Sequence, residues 1–188
     1  MAYATRAAVI SIVAVPTVRV VESTPLRPER VLAAARDFSG RRADLWPDVH
    51  LEHLQVHEQG ESFAEVTEGN PWPIGYVWER LRYDCSQPGV VKGIVVDSNI
   101  FKPGSTWEIH AAPSSGGSRV EVIGVRHLCG IKGRMLYPFF PLGLAKQTVA
   151  THLRHFLSTL EGTGPAPLRT SLRPPLHAST ALLRRVTP

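Results

Sequence analysis

Alternating apolar and polar residues fill the middle of this 188-residue chain. Six short segments there are rich in β-branched and aromatic residues and are bounded by Gly, Pro, Asn or Ser, a pattern typical of strands joined by turns. Because the turns are short, neighbouring strands are expected to run antiparallel as a meander. The predicted strands are Leu51 to Glu58, Ser62 to Glu68, Tyr76 to Ser86, Val90 to Ser98, Ser105 to Ala112 and Arg119 to Leu128.

A helical period replaces this alternation between Leu142 and Glu161. Apolar residues recur there three or four positions apart and form one continuous stripe, and Gly162 is a natural helix end. The stripe consists of Leu142, Ala145, Val149, Leu153, Phe156 and Leu160. Because Pro138 and Pro141 interrupt the preceding segment, we expect an irregular apolar lead-in from Met135 to Phe140.

The chain before the meander holds one predicted strand and one short predicted helix. Thr17 to Ser23 is β-branched and alternating, and Glu29 to Phe38 has helical spacing. In the loop that follows, Arg41 to Asp48, the triplet Leu45-Trp46-Pro47 is expected to tuck under the edge of the domain. This order of elements predicts an α+β fold in which a curved antiparallel sheet wraps around the long C-terminal helix and leaves a cavity between them.

One domain with two flanking segments is the expected organisation. With 43% hydrophobic residues the chain is long enough for one sizeable core and too short for two. We assign residues 17–162 to this domain, residues 1–16 to a leader outside the core, and residues 163–188 to a disordered basic tail. The apolar run Ala7 to Val15 is too short to span a bilayer, and it serves either as a leader or as an extension of the first strand.

The formal net charge of +5 is unevenly distributed. Arg6 and four tail arginines account for 5 of the 21 cations, which leaves 16 cations against 16 carboxylates between Thr17 and Glu161. The domain is therefore neutral, although Val122 to Leu160 holds five lysines and arginines and no carboxylate. This basic region lacks interleaved aromatic residues and any nucleic-acid-binding motif, so nucleic acid is not an expected partner.

Several stretches of the sequence resemble one superfamily. They are Val77 to Gly89 (VWERLRYDCSQPG), Asp97 to Glu108 (DSNIFKPGSTWE), Gly117 to Glu121 (GSRVE) and Gly130 to Leu136 (GIKGRML). Residues 17–162 resemble the START-like, or SRPBCC, superfamily, and in particular its uncharacterised actinobacterial members of the polyketide cyclase/dehydrase-like kind. The resemblance implies the helix-grip fold with a cavity between the sheet and the C-terminal helix. It includes no shared catalytic motif, so no catalytic residue is carried over.

The implied cavity is expected to be lined mainly by apolar side chains. The expected partner is then a hydrophobic or aromatic small molecule, lipid- or polyketide-like, held without a cofactor. The predicted ligand-binding residues are Phe63, Trp78, Phe101, Trp107, Leu136, Phe140, Val149 and Leu153. Each of them also suits an ordinary core position.

Two other functions stay open. The chain could be an enzyme of the polyketide aromatase/cyclase or dehydratase kind, with Arg80, His127 or Tyr76 orienting the substrate and moving protons near neutral pH. Arg80 and His127 equally suit outward cross-strand ion pairs with glutamates of neighbouring strands. The chain could instead be a peripheral module that binds an anionic membrane or a partner through the basic region and the arginine tail.

Histidine and cysteine do not form a predicted metal site. His50, His53 and His57 lack a companion cysteine or closely spaced carboxylate pair. The 44-position spacing of Cys85 and Cys129 resembles no zinc or redox motif. Two buried reduced thiols in a cytoplasmic protein are favoured, with a cross-strand disulfide as the alternative.

Other recognisable chemistry is not found in the sequence. It contains no glycine-rich phosphate loop, no nucleophile elbow and no Cys/His dyad. His152 and His155 are expected to be exposed on the flank of the C-terminal helix. No integral membrane segment is predicted, and the sequence does not determine the oligomeric state.

Overall fold

Seven antiparallel strands form one curved sheet in the computed structural model of this chain, which describes residues 15–73, 75–139 and 142–162. The predicted tail and most of the predicted leader, together with the site candidate Phe140, lie outside the described residues. The strands are β1 Thr17–Thr24, β2 Gln55–Gln59, β3 Phe63–Trp72, β4 Gly75–Asp84, β5 Val90–Ser98, β6 Thr106–Ser114 and β7 Gly117–Val125.

The strand order across the sheet is β1-β7-β6-β5-β4-β3-β2. Strands β2 to β7 therefore form the predicted meander, and β1 pairs antiparallel with β7 at its far side, with Thr17 opposite Val125. The helices are α1 Pro28–Ala35, α2 Arg42–Leu45, α3 Gly130–Leu136 and α4 Leu144–Glu161, with short 3-10 turns at Leu51–His53 and Tyr137–Phe139. No helix among the described residues is long and apolar enough to cross a membrane.

Helix α4 packs its apolar stripe against the concave side of the sheet. Phe156 and Leu153 are fully buried, and Ala150, Leu157 and Leu160 are buried beside them. The sheet contributes inward side chains at every second position of its strands, such as Val120 and Val122 of β7. Sheet and helix therefore share one hydrophobic core, as the sequence pattern predicts.

Two local predictions were wrong. The predicted strand from Leu51 begins as a 3-10 turn, and β2 starts only at Gln55. The loop after α1 contains the short helix α2, which places Arg42 and Leu45 in the core. Each error concerns an element of three or four residues, which is too short to display a period. The lead-in predicted from Met135 begins at the end of helix α3 and continues irregularly as the 3-10 turn Tyr137–Phe139.

The long helix begins two residues later than predicted, at Leu144. Gly143 precedes it with φ of 75°, a left-handed conformation that glycine adopts without a steric cost. Leu142, the first member of the predicted stripe, therefore lies outside the helix and is 71% exposed.

The two edges of the sheet differ. Helix α4 packs beside β1, as the hydrogen bond from Thr24 Oγ1 to Glu161 Oε1 at 2.6 Å shows. Strand β2 lies at the opposite edge, is exposed at all five positions, and has a register shift between Val56 and Glu58. The sheet is thus tied to the helix at one edge, and no described strand pairs with the other edge.

Candidate ligand cavity

A cavity of about 80 Å³ lies between the concave face of the sheet and helix α4. Strands β3, β4, β6 and β7 supply one wall, α4 supplies another, and the segment from α2 to Val49 closes one side. The lining mixes aromatic side chains with six ionisable ones: Arg42, Asp48, Glu68, Glu79, Arg126 and His152. The predicted position of the cavity is therefore occupied by a more polar site than the sequence indicated.

Arg42 holds the deepest polar group of the cavity. Helix α2 points its side chain inward, where it is 2% exposed. Its Nε donates to Glu68 Oε1 at 2.6 Å, its Nη2 donates to the Tyr83 hydroxyl at 2.8 Å, and its Nη1 donates to the Ala35 carbonyl at 3.1 Å. The guanidinium also lies 4.9 Å from the centroid of the Phe38 ring. Each nitrogen of the guanidinium thus has a fixed partner.

Glu68 and Tyr83 complete this buried network. The Tyr83 hydroxyl donates to Glu68 Oε1 at 3.1 Å, and both side chains point inward from adjacent strands. Burial raises the pKa of the Glu68 carboxyl, and the positive charge of Arg42 offsets only part of that rise. Burial likewise raises the pKa of the Tyr83 phenol well above its usual value. The desolvation of Glu68 is therefore not fully offset, whereas that of Arg42 is, since the pKa of the guanidinium is raised above its usual value.

A second ion pair stands directly beside the first. Glu79 of β4 is the cross-strand neighbour of Glu68, so two carboxylates share one face of the sheet. Arg126 Nη1 donates to Glu79 Oε2 at 2.5 Å, and its guanidinium lies 4.6 Å from the centroid of the Phe101 ring. Each carboxylate thus has its own arginine, which relieves the repulsion between them.

A histidine and an aspartate form the third charged pair, at the more exposed side of the cavity. His152 Nδ1 of α4 lies 3.6 Å from Asp48 Oδ1, with side chains 23% and 48% exposed. Burial lowers the pKa of the imidazole, but the neighbouring Asp48 carboxylate outweighs this and raises it above its usual value. The same contact keeps the pKa of Asp48 low despite the cost of desolvation. The imidazole therefore keeps its proton to a higher pH than an unperturbed histidine does.

Aromatic rings form the apolar part of the lining. Trp46 meets Trp107 edge to face with ring centroids 5.3 Å apart, and on its other side it stacks on Phe156 at 4.4 Å. Trp46 is only 6% exposed, and its Nε1 is buried without a hydrogen-bond partner among the described residues. A buried indole N–H normally has an acceptor, so this wall offers one unused donor.

The structure places five of the predicted ligand-binding residues inside the cavity, in the core beside it or on the outer face of the sheet. Trp107 and Val149 line the cavity. Leu153 lies in the core next to it, fully buried under α4. Phe63 and Trp78 occupy strand positions of the opposite parity to the inward residues Ala64 and Leu81, so they lie on the outer face of the sheet.

The remaining predicted residues lie near one end of the sheet. Phe101 packs against both the main core and a smaller cluster of Val77, Ile100 and Leu136. Tyr76 is 36% exposed, and its ring lies 4.3 Å from that of His53.

None of the three predicted catalytic residues, Tyr76, Arg80 and His127, lines the cavity. Arg80 is on the outer face and forms an ion pair with Glu65 of β3. His127 follows β7 and is half-buried, and its backbone N–H donates to Ser105 Oγ at 3.0 Å.

Sequence reasoning missed most of the polar lining. Glu68 was detectable, because it continues the inward series of Ala64 and Val66 at every second position of β3. Arg42 was not detectable, because the orientation of the four-residue helix α2 determines whether Arg41 or Arg42 points inward. His152 was expected to be exposed on the helix flank, but the loop bearing Asp48 covers that flank.

The structure also locates the histidines and cysteines considered for metal binding. Among residues 15–73, 75–139 and 142–162, no three His, Cys, Asp or Glu side chains are placed to hold a metal ion. The rings of His50 and His53 are 6.5 Å apart, and His57 instead contacts Thr67. Cys85 and Cys129 are both free thiols.

Solved structures with the same architecture identify the fold. TTHA0849 from Thermus thermophilus superposes with a TM-score of 0.65 at 18% identity, covering 80% of this chain and 100% of its own. The ZhuI aromatase/cyclase from Streptomyces sp. R1128 superposes at 0.63 and 12% identity, covering 79% and 94%. A START superfamily protein from Mycobacterium smegmatis superposes at 0.58 and 10% identity, covering 77% and 98%.

Sequence comparison alone does not assign the chain, since no protein-family model and no curated protein matches it. At these low sequence identities, the superpositions show a shared fold and do not show a shared activity. They match the curved sheet and its C-terminal helix over 77–80% of this chain. The chain therefore has the helix-grip fold of the START-like, or SRPBCC, superfamily.

Proposed function

We propose that this chain binds a small molecule with a hydrophobic, aromatic or polyketide-like body and oxygen-bearing groups in the cavity between the sheet and α4. The proposal rests on one observation, that the cavity has both an aromatic wall and a charged wall. The Trp46 and Trp107 rings offer an apolar surface, while the arginine-carboxylate pairs and the unused Trp46 N–H offer polar contacts to ligand oxygens. Ligand sites commonly combine an apolar lining with a few fixed polar groups.

The energetics of the polar wall support the same proposal. An ion pair that does not repay its own desolvation contributes less to stability than a well-packed apolar pair. In the Arg42–Glu68 pair, burial keeps the pKa of the Glu68 carboxyl raised, whereas the carboxylate beside Arg42 outweighs burial and raises the pKa of the guanidinium. Clustered charges at a cavity with shifted pKa values are characteristic of functional sites. We also propose, from the sequence, that binding takes place in the cytoplasm.

The size of the cavity requires side chains to move when a ligand binds. A cavity of about 150 Å³ is needed to hold benzene, whereas this one measures about 80 Å³. The partly exposed lining residues His152, Asp48 and Arg126 are the ones free to swing outward, because their outer sides meet solvent. Access to the cavity is therefore proposed to pass between α4 and the Asp48 loop.

Replacing Trp107 by leucine tests the cavity as the binding site. With 2-naphthol as the probe, the unmodified chain is expected to bind, and Trp107→Leu is expected to weaken binding roughly tenfold through loss of aromatic contact. Isothermal titration calorimetry measures both affinities. Trp78→Leu is the matched control, because Trp78 is also a half-buried strand tryptophan but lies on the outer face. Absence of 2-naphthol binding, or equal weakening by both substitutions, would contradict the proposal.

A second candidate is an enzyme of the aromatase/cyclase or dehydratase kind, and the His152–Asp48 pair favours it. A protonated His152 could donate its proton to a substrate carbonyl oxygen while a cavity carboxylate accepts the proton from the adjacent carbon. Because its pKa is raised, the imidazolium is present at lower pH and is lost as the pH rises through the folded-state pKa. The rate of enolisation should therefore fall over the same pH range in which the imidazolium is lost.

Proton exchange in a simple β-keto ester tests this candidate. In D₂O the chain is expected to accelerate loss of the α-proton NMR signal of ethyl acetoacetate, with the acceleration falling as pH rises above neutrality. His152→Gln should remove both the acceleration and its pH dependence, while His155→Gln, three residues along the same helix, should retain them. An unchanged profile in His152→Gln would exclude this role and leave binding as the function.

A further inference from the structure

We propose that the surface around helix α3 docks onto an anionic membrane surface. This α3 surface is built from the exposed end of the β3–β4 hairpin and from α3 with the turn after it, and the start of α4 follows it in the chain. Its exposed apolar members are Trp72, Tyr76, Ile131, Met135, Tyr137, Leu142 and Leu144. Its cations are Lys132, Arg134 and Lys146. The proposal concerns a face that contributes no lining to the cavity and is independent of what the cavity binds.

Helix α3 turns large apolar side chains toward solvent. Ile131 is 79% exposed and Met135 is 53% exposed, and at four positions apart they share one helix face. The opposite face is buried, since Leu136 packs with Val77 and Ile100. Scattered single hydrophobic residues on a surface are ordinary, but neighbouring ones on one short helix form a patch.

The end of the β3–β4 hairpin adjoins this helix. Lys132 Nζ donates to the backbone carbonyl of Tyr76, which ties α3 to the start of β4. Trp72 pairs with Gly75 across the same hairpin. The side chains of Trp72 and Tyr76 are each more than one-third exposed. Tryptophan and tyrosine favour the boundary between acyl chains and headgroups.

The charge of the α3 surface indicates which kind of partner binds to it. From Val122 to Leu160 there are five lysines and arginines and no carboxylate, within a domain whose cations and carboxylates balance overall. Arg126 and Arg154 pair with Glu79 and Glu22, which leaves Lys132, Arg134 and Lys146 on this surface. An exposed apolar cluster ringed by cations fits an anionic lipid surface, where the apolar groups insert and the cations meet the headgroups. A second copy of this chain would bring like charges together. Nucleic acid would leave the aliphatic side chains without an apolar partner.

Vesicle binding of the full-length chain tests the proposal. Because the tail carries Arg169, Arg173, Arg184 and Arg185, all measurements use a chain with these four changed to glutamine. This chain is expected to co-sediment with vesicles of 70% phosphatidylcholine and 30% phosphatidylserine at 50 mM salt. It should dissociate at 500 mM salt and should not bind pure phosphatidylcholine.

Two double substitutions separate the apolar and electrostatic contributions. Arg134→Gln with Lys146→Gln is expected to weaken vesicle binding roughly 30-fold, because each surface cation contributes about fivefold. Ile131→Ser with Met135→Ser should abolish quenching of Trp72 fluorescence by brominated lipid, since the surface then no longer inserts. The matched controls are Arg27→Gln with Arg41→Gln and Ile94→Ser with Val96→Ser, all at exposed positions outside the α3 surface.

Each outcome of the vesicle experiments either supports or overturns the proposal. Weakening confined to the α3 variants supports it, and so does loss of Trp72 quenching in the Ile131 and Met135 double variant alone. No binding to anionic vesicles at low salt overturns it, as does equal weakening by the control substitutions. If polyglutamate binds where vesicles do not, the proposal is also overturned, and an acidic protein becomes the partner of this surface.

Discussion

Glu68→Leu is expected to lower the free energy of unfolding by about 3–5 kcal/mol, because it leaves the buried Arg42 guanidinium without its countercharge. Arg42 is 2% exposed, so bulk solvent screens its unpaired charge poorly. The Tyr83 hydroxyl also loses its acceptor. Chemical denaturation in urea measures the change, with the midpoint falling and the slope unchanged.

Two further variants isolate the cause. Glu65→Leu removes a glutamate three positions earlier on the same strand, whose partner Arg80 lies at the surface, and should cost less than about 1 kcal/mol. Combining Glu68→Leu with Arg42→Met and Tyr83→Phe should recover most of the loss, because an apolar set replaces the whole network. If the single and triple variants were equally unstable, volume and not charge would be responsible.

Phe156→Ala is expected to lower the free energy of unfolding by about 3–5 kcal/mol through the void that it leaves under α4. Phe156 is 0% exposed and stacks on Trp46 with the ring planes 18° apart. The vacated volume lies behind the aromatic wall of the cavity. Benzene is therefore expected to raise the Tm of the variant more than that of the unmodified chain.

Leu144→Ala gives the comparison for this substitution. Leu144 lies on the same helix but is 41% exposed, so its truncation should cost less than about 1 kcal/mol. A benzene-induced rise in Tm of equal size in Phe156→Ala and in the unmodified chain would contradict the inferred position of the void.

The regular elements could be predicted because each repeats its pattern several times. Strand β5 was predicted with its observed bounds, Val90–Ser98, and α4 to within two residues at its start. Both are long enough for the period to outweigh single exceptions. The pairing of β1 with β7 could not be read from any local pattern, because it joins residues about a hundred positions apart.

The cavity was predicted in position but not in character. Aromatic residues were chosen by size, which cannot tell the inward Trp107 from the outward Trp78 without the register of the sheet. The charged lining depends on pairs that form only after folding, such as Arg42 with Glu68 and His152 with Asp48. Their members are 26 and 104 positions apart in sequence, so neither residue's local surroundings reveal its partner.

The open edge at β2 bears on how this chain behaves at high concentration. A free strand edge invites hydrogen bonding with a strand of another molecule, which is the first step toward aggregation. Here the edge is only five residues long, mostly polar in sequence (QVHEQ), and distorted by the register shift next to Val56. A short, hydrophilic and kinked edge is a poor template for further strands. The fold can therefore keep one side of its sheet uncovered and still resist growth into fibrils.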